Sequence, residues 1–347
     1  MIRFRFPFTF PALKSFCITS ALVLSCIFLS AAAANAQGDQ DDVLKVNTAL
    51  VQLNVGVVDK QGRAITNLSR NDFSVYEDDV LQSITDFEPT AAPFSLVLLL
   101  DMSGSTQTFR PTLKQAAYRF LDALGPEDRV AVIAFNDKIK TLANFTTDRK
   151  KVGKSIEYAE GKGETHFYEA LRFALEQLAK EGKRRKAIIV LTDGIDTELR
   201  KQDRESAASA HTNEEALASV KPNASGTLNS VLSLADRQGV TIYPLALPSG
   251  DPKRLPFVEP VQAAIYGSAR ARLQTLADRT GGRLNDIKRL EDMGTLYAGI
   301  AADLRTLYTV FYSPKNTNAQ TGRWRAIRIE VSHTELIAHT RPGYFGR

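Results

Sequence analysis

Ser95-Leu96-Val97-Leu98-Leu99-Leu100-Asp101-Met102-Ser103-Gly104-Ser105 is the stretch whose reading decides the fold. Its first half is a continuous apolar run, expected of a strand buried on both faces of a parallel sheet. Its second half releases three oxygen-bearing side chains, Asp101, Ser103 and Ser105, within five residues. Runs of the same apolar kind recur at 130–135, 187–191 and 240–247. Helical patterns separate them at 111–124, 168–180, 227–238, 268–279 and 290–305. Strands alternating with helices of that length predict an α/β domain over 93–305, with a doubly wound, mostly parallel sheet and helices on both faces.

In such sheets ligands bind in the crevice beyond the carboxyl ends of the strands. Asp101, Ser103 and Ser105 leave the sheet there, with Gly104 read as the residue that permits a sharp backbone path. The strand at 187–191 ends in Leu191-Thr192-Asp193-Gly194 and sets a second carboxylate on the same rim. Between the two, Gly163-Glu164-Thr165 precedes the helix that starts near Tyr168. Hydroxyls and carboxylates without histidine or cysteine suit a hard dication such as Mg²⁺, Mn²⁺ or Ca²⁺. Taken singly, each of these residues reads as a turn residue or helix cap. Their order and their places at equivalent strand ends give them a joint meaning.

Asp101-x-Ser103-x-Ser105, then Thr165, then Asp193-Gly194 after an apolar strand, resembles the metal-ion-dependent adhesion site of von Willebrand factor A-type domains. Asp128-Arg129-Val130-Ala131-Val132-Ile133-Ala134-Phe135 and Gly239-Val240-Thr241-Ile242-Tyr243 resemble core strands of that fold. His166-Phe167 departs from it, being bulkier than the small residues often seen after the threonine. The resemblance implies that Ser103, Ser105 and Thr165 supply hydroxyl oxygens, and that Asp101 and Asp193 coordinate directly or through water. It further implies one divalent cation, Mg²⁺ first with Mn²⁺ and Ca²⁺ as alternatives, and a partner protein whose Asp or Glu carboxylate replaces a metal-bound water. Only two carboxylates face the dication, so the occupied site is near neutral and open to such a ligand.

The flanks of this domain read as β-structure. Residues 44–58 alternate apolar and polar side chains, 73–76 alternate again, and 84–87 form one more short strand. Further strands are expected at 309–312, 324–331 and 336–340. Neither flank supplies enough strands for a closed sandwich, so 43–92 and 306–347 are expected to complete one small β-sandwich into which the α/β domain is inserted. The segments from Val57-Val58-Asp59 through Asp72-Phe73 to Asp86-Phe87, and Arg341-Pro342-Gly343-Tyr344, are similar to flanks of exported bacterial proteins that carry an A-type domain.

The first 36 residues read as an export signal, with Arg3, Arg5 and Lys14 ahead of an apolar run at 16–34 and a small-x-small pattern at Ala34-Asn35-Ala36. Gln37 is then the first mature residue and the protein is periplasmic or extracellular. An uncleaved anchor and lipidation at Cys26 are the alternatives. Both cysteines, Cys17 and Cys26, lie in this segment, so the mature chain has neither a disulfide nor a thiol site. Removal of the three basic residues takes the net charge from +5 to +2. Nothing in that balance demands nucleic acid, or a membrane beyond the export signal.

These readings converge on a non-catalytic binding module. A structural envelope scaffold and a metal-dependent hydrolase are the competing classes. The hydrolase lacks an arranged general base or nucleophile, and Gly161-Lys162-Gly163-Glu164-Thr165 lacks the order of a phosphate loop. The four histidines show no zinc spacing. Residues 197–226 and 248–267 are expected to be long loops rimming the metal face. Lys183-Arg184-Arg185-Lys186 is expected to be a solvated basic turn.

Overall fold

The structure is a computed structural model that describes residues 50–248, 258–315 and 322–346. The expected export signal, both cysteines and the opening of the first expected strand lie outside the described residues. Among the described residues no helix is long and apolar enough to cross a membrane.

The chain opens with β1 (Val51–Val58), β2 (Phe73–Glu77), β3 (Val80–Gln82) and β4 (Ile84–Glu88). It then enters the α/β region through β5 (Phe94–Asp101), α1 (Arg110–Asp122), β6 (Arg129–Phe135), β7 (Ile139–Thr146), α2 (Arg149–Glu157) and α3 (Phe167–Ala179). There follow β8 (Arg185–Thr192), α4 (Thr197–Ser206), α5 (Asn213–Ser219), α6 (Gly226–Gln238) and β9 (Val240–Ala246). The region closes with α7 (Pro260–Thr280), β10 (Asn285–Asp286) and α8 (Met293–Thr306). The chain returns through β11 (Leu307–Tyr312), β12 (Trp324–Val331), β13 (Ile337–His339) and β14 (Gly343–Phe345).

The central sheet runs β10-β9-β8-β5-β6-β7, parallel throughout except for β7 on its edge. Every residue of β5, β8 and β9 is buried, which explains why their sequences show no alternation. The side chains still alternate between the two faces. Leu96, Leu98 and Leu100 pack with α1, α2 and α8, through Phe120, Ile156 and Tyr297. Val97 and Leu99 pack with α3, α6 and α7, through Leu171, Leu232 and Leu273. β5 pairs with β6 on one side and β8 on the other. The strand order therefore reverses beside β5, and the crevice expected of a doubly wound sheet opens at the carboxyl ends of β5 and β8.

The flanks form two four-stranded sheets, β13-β1-β11-β4 and β14-β12-β2-β3, each drawing strands from both ends of the chain. β1 pairs antiparallel with β11 from Val51↔Tyr312 to Gly56↔Leu307, and β2 pairs with β12 from Phe73↔Val331 to Glu77↔Ile327. Val51, Leu53, Val55 and Val57 share one apolar core with Val75, Val310 and Ile327, so the two sheets form a small sandwich. The turn between β2 and β3 is Asp78-Asp79, both left-handed at φ 48° and 63°, the backbone of a tight hairpin.

The sandwich meets the amino ends of the central strands. Asn54 donates to Thr241 Oγ1 at 2.9 Å and to Gly239 O at 3.2 Å. Gly239 ends α6 at φ +62°, and a Cβ there would come within 2.8 Å of Gln52. Left-handed backbone and close approach of β1 both require glycine here. Arg341 reaches Asp236 O at 2.8 Å, Arg279 pairs with Asp236 at 3.1 Å, and Arg279 stacks 4.3 Å from the Trp324 ring. Across the eight residues of β5, at about 3.3 Å each, the sandwich and the crevice lie roughly 25 Å apart.

Three expectations need correction. The basic turn at 183–186 is not solvated in full: Arg185 is 1% exposed and Lys186 is buried, because both already belong to β8. Arg185 donates to the carbonyls of Thr90, Ala92 and Leu307 and lies over the Phe94 ring, 3.9 Å from its centroid. Residues 197–226 are not a loop but contain α4 and α5, and α7 starts at Pro260, eight residues ahead of the expected 268. The sequence reading also passed over β7, α2, β10 and β14, short or polar elements with weak periodicity.

Candidate metal centre

β5 delivers Asp101 to the crevice with its side chain fully buried. Its Oδ1 accepts from Ser103 N at 3.0 Å, and its Oδ2 accepts from Thr192 Oγ1 at 2.7 Å. Thr192 ends β8, so one hydrogen bond ties the ends of the two strands that carry the carboxylates. After Ser103 the chain turns through a 3-10 segment, Gly104–Phe109, held by Thr106 Oγ1 donating to Asp101 O at 2.8 Å and Ser103 O at 3.0 Å. Arg110 donates to the carbonyls of Met102 and Ser103 at 2.8 and 2.9 Å. That turn brings Ser103 Oγ and Ser105 Oγ to 3.2 Å from each other.

Asp193 follows β8 directly and is 1% exposed. Its Oδ1 accepts from Ile195 N at 3.1 Å, while Gly194 N returns to Thr192 Oγ1 at 3.0 Å. Gly194 has φ +82°, and a Cβ there would meet Leu273 Cδ1 at 2.8 Å, so the turn that presents Asp193 needs glycine. Gly104, by contrast, is not left-handed, and a Cβ on it would meet only Gly163 O at an ordinary 3.6 Å. The conformational freedom expected of it belongs to Gly163, at φ +105°.

Thr165 is held between two elements. Its N–H donates to Thr197 Oγ1 at 3.0 Å, and its carbonyl accepts from Thr197 N at 2.9 Å. Asp196, absent from the sequence reading, anchors this region. Its Oδ2 accepts from Phe167 N at 2.9 Å and Tyr168 N at 3.4 Å, at the start of α3. Its Oδ1 accepts from Glu198 N and Leu199 N at 3.1 and 3.3 Å, at the start of α4. One carboxylate thus caps two helices and fixes the Thr165 loop against the Asp193 loop. Its position just before a polar helix was the available signal, hidden because 197–226 read as loop.

Ser105, Thr165 and Asp193 line a common cavity of about 330 Å³. Asp101 joins them electrostatically: burial first, then the charge of Asp193, pushes its carboxyl up to about 7. Burial likewise raises Asp193, against the hydrogen bond from Ser105. Two carboxyls raised by burial, Asp101 further by the charge of Asp193, form a site short of positive charge. Their recorded partners are hydroxyls and backbone N–H groups, and among the described residues neither forms an ion pair. Two carboxylates and three hydroxyls facing one crevice fit a hard dication.

The family described as von Willebrand factor type A domain matches residues 96–195. An uncharacterized protein of Synechocystis sp. is 36% identical over 107 residues, which are 29% of this chain and 25% of that protein. The voltage-dependent calcium channel subunit alpha-2/delta-2 of Homo sapiens is 30% identical over 116 residues, 30% of this chain and 10% of that one. The chain therefore spans a quarter or less of the length of these relatives. Among solved structures, a von Willebrand factor type A protein from Catenulispora acidiphila superposes with a TM-score of 0.45 at 12% identity, over 87% of this chain and 76% of that one. The vWF domain of the type V pili tip protein Mfa5 from Porphyromonas gingivalis gives a TM-score of 0.44 at 15% identity, over 61% and 94%. With the match over β5 to β8, residues 96–195 are those of a von Willebrand factor type A domain, set in the strand order and crevice described above.

Proposed function

We propose that this protein is an exported, non-catalytic binding module that holds one divalent cation through Asp101, Ser103, Ser105, Thr165 and Asp193 and captures a carboxylate of a partner protein. The observation that carries the reading is the pair of buried, mutually repelling carboxyls at adjacent strand ends, with three hydroxyls on the same rim. Mg²⁺ is the first choice, because an all-oxygen site with two carboxylates leaves positions for water, with Mn²⁺ and Ca²⁺ as alternatives. When bound, the cation supplies an electrophilic position that a partner's Asp or Glu can take in place of water. The chain's part is to hold the oxygens still: Thr192 fixes Asp101, the Ile195 amide fixes Asp193, and the Thr197 pair fixes Thr165.

A binding role is favoured over a hydrolase by the cavity walls. Among the described residues they offer, beyond Ser105, Thr165 and Asp193, no histidine, cysteine or lysine, and Glu164 is exposed and faces the His166 ring at 4.0 Å. Export rests on the leader in the sequence, and the partner is a protein encountered outside the cytoplasm.

Thermal melting tests the site without knowledge of the partner. A ligand at a hundredfold its Kd stabilises the folded state by about 2.7 kcal/mol, which for a chain of this size raises Tm by roughly 5 °C. The wild type is expected to show such a rise with Mg²⁺, Mn²⁺ or Ca²⁺, and Asp101→Ala and Asp193→Ala to show none while remaining folded. A wild type without a shift and without bound ion by calorimetry refutes the proposal.

A further inference from the structure

The cavity beside the rim is wider than one carboxylate needs, and its outer wall is cationic. Arg200 and Arg204, four residues apart on α4 and so on one face of that helix, both line it and are exposed. Neither side chain has a hydrogen bond or ion pair among the described residues, and the charge of Arg200 is the last of the causes that act on Asp193. Neighbouring cations are occupied: Lys201 pairs with Glu198 at 2.7 Å, and Arg272 is locked to Asp203 at 2.6 Å. The acid on the opposite lip, Glu164, faces His166. Ile195, Ile265 and Tyr266 supply an apolar floor between the two arginines and the rim.

Resting on the metal-dependent reading above, we infer that Arg200 and Arg204 form a second acid-binding subsite, so that the partner is a segment carrying two carboxylates rather than one. With a dication balancing Asp101 and Asp193, the cavity keeps two guanidinium charges against the single charge of Glu164 and is net positive. Guanidinium groups recognise carboxylates by paired N–H donors. Arg204 lies one turn beyond Arg200, about 6 Å along α4. The occupant is an extended acidic peptide with two Asp or Glu close in sequence and an apolar residue between them, because rim, arginines and apolar wall line one cavity. The first acid faces the cation and the second faces the arginines.

The test uses the full chain and two series of labelled twelve-residue peptides, built on a Gly/Ser background with one central leucine. One series carries a single Asp, and the other carries two Asp separated by one to three residues. In Mg²⁺ the best two-acid peptide is expected to bind about tenfold tighter than the single-acid peptide, the gain of one charge-assisted contact. Arg200→Gln/Arg204→Gln is expected to erase that ratio while keeping the Mg²⁺-induced rise in Tm, because neither side chain belongs to the metal rim. Equal binding of the two series, an unchanged ratio in the double variant, or no binding of any two-acid peptide while Mg²⁺ still raises Tm overturns the subsite. Loss of the Mg²⁺ shift in the wild type refutes the metal reading itself, and the two failures are distinguished by that measurement.

Discussion

Replacing Arg185 by alanine loosens both crossings between the sandwich and the α/β region at once. Its guanidinium donates to Thr90 and Ala92 on the way in and to Leu307 on the way out. Hydrogen bonds from a charged donor contribute about 2 kcal/mol each, so the three together amount to roughly 6 kcal/mol. Against this stands the cost of the buried cation. Burial, its largest cause, brings the Arg185 pKa down to about 10 from 12.5, which corresponds to roughly 3 kcal/mol. The net loss expected for Arg185→Ala is therefore about 3 kcal/mol, or roughly 6 °C in Tm for a chain of this size. Arg185→Lys keeps the charge but has one nitrogen for three carbonyls and is expected to fall between the two. Urea denaturation followed by circular dichroism gives the stability, and amide exchange at Thr90, Ala91, Ala92 and Phe94 reports the crossing itself. A loss under about 1 kcal/mol with unchanged exchange at these amides refutes the clamp.

Three further outcomes follow from the structure. Without metal, Asp101 titrates near 7 in the folded chain and near 3.8 when unfolded, so its stabilising contribution is complete below about pH 4 and is lost as pH rises through 7. Tm in chelator should therefore fall between pH 5 and pH 8, while the Mg²⁺-induced rise grows over the same window because the ion requires ionised ligands; a flat chelated profile contradicts this. Asp196→Ala removes the cap of two helices, costs about 2 kcal/mol in urea denaturation and weakens Mg²⁺ binding in calorimetry, whereas an effect on stability alone would detach Asp196 from the site. Asp79→Gly relieves a left-handed residue in the β2–β3 turn and should stabilise the chain by roughly 1 kcal/mol in a thermal melt, with Asp78 kept because it accepts from Ala326 N at 3.0 Å. A lower Tm for this variant would show that the exposed pair of Asp79 with Arg328, at 3.6 Å, outweighs the relief of the turn.

The α/β architecture was legible because the middles of its buried strands are continuous apolar runs, with polar residues mainly at their ends. Leu96 to Leu100 can occupy only the middle of a covered sheet, and Asp101 at its end announces a change of environment. The rim residues were legible for the same reason: polar side chains at the ends of apolar strands. What supports them was not. Thr192 closes an apolar strand and reads as a strand residue, yet its hydroxyl bridges Asp101 and Gly194. Arg185 looked like part of a charged turn, because a cation buried among carbonyls has no signature distinct from a cation in water. Gly104 drew attention by its place in the motif, while the left-handed backbone falls at Gly163 and Gly194. Local pattern shows which way a residue faces, but not which distant backbone it will meet.

The pairing of β1 with β11 has a mechanical meaning. Val51 at the start of β1 lies opposite Tyr312 at the end of β11, and Gly56 opposite Leu307. Tension applied between the two flanks thus crosses this ladder and bypasses everything between β1 and β11 while the ladder holds. Because the loaded ends are at the same edge, the ladder opens as a zipper does, one pair after another from Val51 inward, at low force. The sandwich is a fuse. It yields pair by pair along this ladder, while the metal rim lies at the opposite ends of the central strands.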